Sequence, residues 1–167
     1  MQKHKVFGPL TALAVLAIVG FGANSAEATG SIESLAVGAC QWVEGGKPFY
    51  DWTGIYNSGA STMTVQCGVP NNEDVQSATK WYVYMDDQHS NLNGKCQLRM
   101  MDLWGNTIAQ SGEKNTSSTD PHQELVWNWE DFGLGAIDGV TVVRCTIPGA
   151  QAGKRSGLNG IFVQKGF

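Results

Sequence analysis

Two short segments of nearly the same sequence limit what this chain can fold into. Residues 65–70 are VQCGVP and residues 143–148 are VRCTIP. In an extended strand alternate side chains share a face, so the cysteine and the β-branched residues of each segment lie on one side. A proline ends each run, and proline has no N–H to donate to a neighbouring strand. Each segment therefore predicts a strand that carries a cysteine on its buried face and ends soon after it.

The cysteine content indicates disulfide bonds. The chain has four cysteines, at Cys40, Cys67, Cys96 and Cys145. Zinc sites need ligands in close pairs, and none of these cysteines has a near neighbour in sequence. We therefore expect two disulfides, which form and persist in exported proteins. Four cysteines allow three pairings, and the sequence does not choose among them; we predict Cys40 with Cys67, and Cys96 with Cys145.

The N-terminus has the pattern of a secretory signal peptide. Lys3 and Lys5 precede an apolar run over residues 10–21, and small residues follow up to Ala28. A run of about twelve apolar residues falls short of the roughly twenty that a membrane-spanning helix needs. We therefore predict a signal peptide over residues 1–28.

Cleavage is predicted after Ala28, although Ser25 and Ala26 also satisfy the small-residue rule. The remaining residues, 29–167, have the length of one domain. The formal net charge of the whole chain is −4, so we expect no nucleic-acid partner. No second long apolar run follows the leader. We therefore expect a product secreted to the periplasm, the cell surface or the medium, without a membrane partner after cleavage.

Short alternating runs, separated by Gly, Asn, Asp, Ser or Pro, recur along residues 29–167 without a sustained helical period. This is typical of an all-β domain. Strands are predicted over 32–43, 50–57, 62–69, 80–86, 95–103, 106–111, 123–129, 140–147 and 160–165. Many short strands in one domain either close into a barrel or pack as two sheets. Buried cysteines on separated strands favour an antiparallel two-sheet β-sandwich, loosely immunoglobulin-like or jelly-roll-like.

Turns and loops are predicted from composition. The sequence NSG at 57–59 and the sequence LWGN at 103–106 predict tight turns, each between two adjacent antiparallel strands. The polar segments 112–121 and 150–157 predict exposed loops.

The strand motifs together resemble a known group of proteins. GIYN at 54–57 leads into TVQC at 64–67, a later strand passes through Cys96, and VRCTIP follows. This pattern resembles secreted bacterial proteins that have a single β-sandwich domain and four cysteines. The resemblance implies the fold and the export. That group has no assigned activity, so it implies no catalytic residue.

Motifs for catalysis are weak. Beyond the leader, the histidines are His89 and His122, and neither lies in a nucleophile motif. The adjacent carboxylates at 86–87 and at 130–131 point in opposite directions on a strand, so neither pair suits glycoside hydrolysis. We predict no catalytic residue and a non-enzymatic protein. A cleft that brought together Asp51, Asp102 or Glu124 would favour an enzyme instead.

Metal or cofactor binding is not expected either. The loop at 86–94, DDQHSNLNG, is rich in the oxygen ligands that calcium prefers. The EF-hand spacing is absent, and a solvated hairpin turn explains the same composition. We therefore predict no metal and no cofactor, with calcium at this loop as the alternative.

Aromatic residues are the most informative feature that is left. The chain has six tryptophans, more than a small core requires. In KWYVYMDD, at 80–87, Trp81, Val83 and Met85 share one face, which we expect to be core, and the tyrosines share the other. In LVWNWED, at 125–131, the face with both tryptophans is also expected to be core.

Exposed aromatic rings on a sheet stack on sugar rings or become buried in a protein interface. The candidates for such a platform are Tyr82, Tyr84, Trp52 and Trp104. Cross-strand packing on the sheet surface is the simpler alternative.

The sequence as a whole predicts a secreted, non-enzymatic binding or structural module. It does not identify the partner; the candidates are a polysaccharide and a protein at the cell surface. One alternative is a carbohydrate-binding module that uses the aromatic platform. Another is a subunit of an extracellular filament or surface layer, assembled through unpaired sheet edges.

Overall fold

A computed structural model describes residues 32–35, 39–69, 78–102, 104–117, 120–132 and 140–165. The predicted signal peptide lies outside these residues. The strands are β1 (Ile32–Leu35), β2 (Cys40–Gly45), β3 (Pro48–Tyr50), β4 (Ile55–Asn57), β5 (Met63–Gly68), β6 (Ala78–Asp86), β7 (Lys95–Met101), β8 (Thr107–Gln110), β9 (Lys114–Asn115), β10 (His122–Asn128), β11 (Val140–Ile147) and β12 (Gly157–Lys165). A 3₁₀ turn follows β10 at Trp129–Phe132. In the described part of the chain, no helix is long and apolar enough to cross a membrane.

The strands form two antiparallel sheets of six strands each, which confirms the predicted β-sandwich. Sheet A has the order β10-β6-β12-β4-β3, and β1 also pairs with β12. Sheet B has the order β2-β5-β11-β7-β8, and β9 also pairs with β7. The chain crosses between the sheets at every connection except those from β3 to β4, from β7 to β8 and from β8 to β9.

The hydrophobic core lies between the sheets and follows the alternation along each strand. On β6 the residues Trp81, Val83 and Met85 are buried, as predicted. On β10 the buried side chains are Leu125 and Trp127, and Trp127 lies opposite Trp81 in the strand register. The third tryptophan of the predicted core face, Trp129, belongs to the 3₁₀ turn and packs against the core while partly exposed.

Both disulfides lie within sheet B, with the predicted pairing. Cys40 on β2 bonds to Cys67 on β5, and their Cα atoms are 4.0 Å apart. Cys96 on β7 bonds to Cys145 on β11, with a Cα separation of 4.1 Å. Each bridge therefore joins two neighbouring strands of one sheet. Because β5 and β11 are themselves paired, the two bridges fasten both flanking strands to the centre of sheet B.

The predicted hairpin at 57–59 is wrong, because β4 belongs to sheet A and β5 to sheet B. Asn57 explains the crossing. It is fully buried, and its Nδ2 donates hydrogen bonds to the carbonyl of Ser61 at 2.7 Å and to those of Ile147 and Pro148, each at 3.2 Å. The side chain thus connects the end of sheet A to the end of sheet B. In a surface turn the same side chain would be exposed to water. The predicted turn at 103–106 does join a neighbouring antiparallel pair, β7 and β8.

Other predicted boundaries differ from the structure. The predicted strand 32–43 is two strands, β1 and β2, which lie in different sheets. The predicted strand 50–57 is divided into β3 and β4 by a turn. The predicted loop at 112–121 includes β9 and the buried Thr116, and the loop predicted at 150–157 ends at buried residues that lead into β12. Thr116 and Ser156 are buried in these segments because their hydroxyls donate hydrogen bonds to the buried carboxylate of Asp87.

Removing either disulfide should destabilise the fold measurably. The bridges span 27 and 49 residues, so the chain-entropy relation predicts a loss of about 3 to 4 kcal/mol for each, slightly more for the longer loop. Chemical denaturation of a Cys40→Ala, Cys67→Ala double variant and of a Cys96→Ala, Cys145→Ala double variant measures both losses. Wild type treated with reductant is the control, since it should lose at least as much as the worse variant. A loss below about 1 kcal/mol in both variants would contradict this assignment.

Candidate functional site

The outer face of sheet A carries a groove of about 490 Å³. This volume lies in the usual range for small-molecule pockets. Three adjacent strands, β6, β10 and β12, supply its walls, with side chains that include Tyr84, Asp86, His122, Glu124, Asn159 and Phe162. These side chains point outward because their strand neighbours fill the core.

Aromatic rings form one wall of the groove. Tyr84 on β6 and Phe162 on β12 meet edge to face, with ring centroids 5.1 Å apart and an interplanar angle of 85°. Gly160 lies opposite Tyr84 in the register, and a Cβ atom at this glycine would be 2.9 Å from the Phe162 ring. The missing side chain therefore lets the ring of Phe162 settle onto its own strand. Tyr84 remains 36% exposed.

More aromatic rings continue along the same face toward β3. The ring of Tyr56 on β4 packs against Gly157, where a Cβ atom would come within 2.3 Å of a ring carbon. Phe49 on β3 is the register partner of Tyr56, and the guanidinium of Arg155 lies 4.6 Å from the Phe49 ring centroid. Tyr82 also faces outward, half-buried. With Tyr84 and Phe162, the outer face of sheet A thus carries five aromatic side chains.

Hydrogen-bonding groups line the other wall. Glu124 on β10 lies opposite Tyr84, whose hydroxyl donates to the Glu124 carboxylate. This bond, then burial and the negative charge of Glu124, raise the pKa of Tyr84 to about 12. Two residues along the strands, the imidazole Nδ1 of His122 lies 2.5 Å from Oδ1 of Asp86. Asp86 is 8% exposed, while the His122 ring stands mostly in solvent.

The next carboxylate, that of Asp87, points into the protein. It organises the loop at 86–94, for which the sequence analysis gave calcium binding as the alternative. It is buried and accepts hydrogen bonds from the backbone N–H groups of His89 and Gly94, at 3.2 and 3.0 Å. The hydroxyls of Thr116 and Ser156 donate to it as well. The chain itself therefore surrounds this carboxylate. No group of three or more potential metal ligands occurs in the described ranges.

Two tryptophans stand almost wholly in solvent, each at a turn held by an aspartate. Trp52 is 95% exposed and Trp104 is 88% exposed. In the first turn, Oδ1 of Asp51 accepts hydrogen bonds from the backbone N–H and hydroxyl of Thr53, at 2.7 and 2.6 Å, and from the N–H of Gly54 at 3.0 Å. These bonds, that from the Thr53 hydroxyl first, lower the pKa of Asp51.

The second turn is built in the same way around Asp102. The amide of the Asn106 side chain donates to one carboxylate oxygen at 2.9 Å, and the backbone N–H groups of Trp104 and Asn106 donate to the other. The bond from the Asn106 side chain is the largest of the effects that lower the pKa of Asp102. Both aspartates are thus engaged in local turns.

The structure separates the predicted platform residues into two places. Tyr82 and Tyr84 lie on the outer face of sheet A, and the β3–β4 turn that carries Trp52 packs against β12. At Gly54 in that turn, a Cβ atom would be 2.4 Å from the carbonyl oxygen of Leu158. The turn therefore borders the groove, next to Asn159. Trp104 belongs to the β7–β8 turn of sheet B, and the structure does not bring it to the other three.

The acidic residues considered for catalysis are also apart. Asp51 lies beside β3, at one edge of sheet A, whereas Glu124 lies on β10 at the opposite edge. Asp102 belongs to sheet B. The residues that the sequence analysis did not single out for the site are Phe49, Tyr56 and Phe162. The alternation of Phe162 with Ile161 and Val163, both buried, was the signal available for finding it.

The fold is similar to that of a known carbohydrate-binding module. No protein-family profile and no curated protein sequence matches the chain. A low-affinity xylan-binding module, CBM86, from Roseburia intestinalis superposes with a TM-score of 0.50 at 13% identity, over 81% of this chain and 97% of the module. A xylan-binding module, CBM15, gives 0.49 at 10% identity, over 81% and 97%. A family 11 module from Clostridium thermocellum gives 0.47 at 10% identity, over 81% and 85%. At 13% identity, the first of these similarities shows a shared fold.

The bond between Tyr84 and Glu124 predicts a specific titration. With a raised pKa, the bond stabilises the fold below pH 10 and is lost as the pH rises toward 12. Glu124→Gln removes the negative charge, so the pKa of Tyr84 should fall toward 10. Absorbance at 295 nm, compared with that of Tyr84→Phe and recorded beside far-ultraviolet circular dichroism, follows this ionisation. Glu44→Gln, on sheet B, is the control and should leave the titration unchanged. Identical titrations for wild type and Glu124→Gln would contradict the assignment.

Proposed function

We propose that this protein is a secreted, non-enzymatic carbohydrate-binding module that holds a polysaccharide in the groove on sheet A. The observation that carries the proposal is the set of aromatic side chains on one sheet face, beside a groove lined by carboxylates and an imidazole. The C–H face of a sugar ring stacks on an aromatic ring, and its hydroxyls bond to carboxylate and amide oxygens. Both kinds of group are present within one groove.

The aromatic side chains are held in place before any ligand arrives. Phe162 lies on Gly160 and against Tyr84, and Tyr56 lies on Gly157. Rings that are already ordered lose little conformational entropy on binding, which favours affinity. The Asp51 turn likewise holds the neighbouring Trp52 at the border of the groove, where its exposed indole can stack on a sugar ring.

The shared fold supports this function but does not identify the sugar that binds. A sandwich that is similar to this one, CBM86, is a xylan-binding module, so xylan is the first polymer to test. The carboxylates already hydrogen-bond to other groups of the chain, which supports a non-enzymatic role. Asp51 and Asp102 hold turns, Asp87 is surrounded by donors from the chain, and in the groove Asp86 is paired with His122.

The two exposed tryptophans offer a matched test. Affinity electrophoresis in soluble xylan, and isothermal titration with xylohexaose, cellohexaose and mannohexaose, will identify a ligand. Tyr84→Ala, Phe162→Ala and Trp52→Ala should each weaken its binding about 3- to 10-fold, because each removes one stacking contact. Trp104→Ala removes an equally exposed indole from sheet B and should leave binding unchanged. Melting temperatures confirm that each variant is folded.

Two outcomes contradict the proposal. Wild type that binds none of a wide panel of polysaccharides would reject the carbohydrate function. Binding that is lost with Trp104→Ala, but is intact in Tyr84→Ala and Phe162→Ala, would reject the groove as its site.

A second candidate function, assembly through protein contacts, is favoured by one side of the sandwich. Strand β2 ends the order of sheet B and β3 ends the order of sheet A, and the chain passes directly from one to the other. The exposed large apolar side chains on these strands are Trp42, Val43, Phe49 and Tyr50, which are 42 to 50% accessible. Apolar edges of this kind are sites of association.

Assembly through this side predicts an apparent mass that rises with concentration. Light scattering after size exclusion, over a hundredfold range of protein concentration, measures it. Trp42→Ser with Val43→Ser should restore a monomer, whereas Trp104→Ser should not. A wild-type monomer at every concentration would exclude the filament or surface-layer alternative under these conditions.

A further inference from the structure

We propose that the groove selects sugars by charge, favouring units with a protonated amino group over neutral units and excluding uronates. This inference rests on the proposed function and names the substrate class of the same site. It is carried by the position of two carboxylates, by the location of the cationic groups nearby and by the aromatic wall.

The two carboxylates face the same groove. Glu124 is the register partner of Tyr84, and Asp86 is the register partner of His122, two positions along both strands. Residues at such diagonal positions of an antiparallel pair share a face, with Cα atoms about 7 to 8 Å apart. A monosaccharide unit in the groove would therefore lie within reach of both carboxylates. Asp86 is 8% exposed, so water screens its charge only partly.

The lysine and arginine side chains near the groove lie outside its described lining. Among the described residues that line it, none is a lysine or an arginine. Arg155 lies over the ring of Phe49 on β3, which is separated from β6 by the two strands β12 and β4. Lys154 lines a neighbouring cavity of about 340 Å³, together with His89 and His122. His122 is thus the basic group that faces the groove, and its Nδ1 is already bonded to Asp86.

The chemistry of the walls therefore fits an ammonium group. Carboxylates accept strong hydrogen bonds from an ammonium, and an aromatic face attracts the same charge when it lies within about 6 Å of the ring centroid. The two features lie next to each other at Tyr84, because its hydroxyl donates to the Glu124 carboxylate and its ring meets that of Phe162. A uronate would bring a third carboxylate into this space, and like charges in an interface disfavour binding. The hydroxyls of neutral sugars still donate hydrogen bonds to the carboxylates. We therefore expect neutral sugars to bind more weakly than amino sugars and more tightly than uronates.

Three hexamers with the same β-1,4 backbone test this order: glucosamine, glucose and glucuronate. Isothermal titration at pH 6 in low salt should give about 5- to 10-fold tighter binding of the glucosamine hexamer than of cellohexaose, and weaker binding of the glucuronate hexamer by a similar factor. Added salt at 0.5 M should shrink both ratios, because it screens the charges. Glu124→Gln and Asp86→Asn should each reduce the preference at least threefold while cellohexaose still binds. Glu44→Gln on sheet B should retain it, although it changes the net charge equally.

The outcomes separate this inference from the proposed function. Equal binding of the three hexamers, tightest binding of the glucuronate hexamer, or a preference that survives in both groove variants would overturn charge selection and leave carbohydrate binding standing. A preference lost equally in Glu44→Gln would overturn it as well, since net charge would then be the cause. Binding of other polysaccharides without binding of any of the three hexamers would overturn charge selection alone, whereas failure of wild type to bind anything in the wide panel would reject the proposed function itself.

Discussion

Strand β6 lies between β10 and β12 in sheet A, and the alternation of its side chains is the constraint on which the core and the site both depend. Trp81, Val83 and Met85 fill the space between the sheets, so Tyr82 and Tyr84 must point outward. A slip of one residue would exchange these two sets. The burial of a fully enclosed indole in Trp81, opposite that of Trp127, makes the exchange unfavourable by several kcal/mol. The packing of the core therefore presents the tyrosines to solvent.

The two sheets have different roles. In sheet B both disulfides fasten β2 and β7 to the central pair, and the outward side chains of β5, β7 and β11 are largely polar. Sheet A has no disulfide among its described residues, and its outer face carries the aromatic groove. Buried hydrogen bonds from Asn57 hold the end of sheet A to that of sheet B.

The sequence predicted features that depend on neighbours along the chain. The inward cysteines, the two faces of β6 and the exposure of the tyrosines follow from alternation within one strand. The groove depends on which strands lie side by side, and local patterns do not carry this information. His122 and Asp86 are 36 residues apart and meet because β10 pairs with β6. The role of Gly160 and Phe162 in the groove likewise depends on Tyr84, which lies on another strand.

Two errors have the same physical origin. Asn57 looked like a turn residue and Thr116 like a loop residue, because asparagine and threonine are common in both. Each is buried and hydrogen-bonded to a distant segment, Asn57 to the end of β11 and Thr116 to Asp87. Polar residues mark a solvent-exposed turn only where the fold supplies no partner for them. The partner becomes visible only once the sheets are assembled.

The most direct test of this account is where a bound sugar touches the protein. Intermolecular nuclear Overhauser effects, measured with the best-binding oligosaccharide, should connect sugar C–H protons to the rings of Tyr84 and Phe162 on sheet A. Contacts to Trp104 or to the outer face of sheet B, with none to those two rings, would contradict the claim that the outward face of β6 and β12 is the binding site.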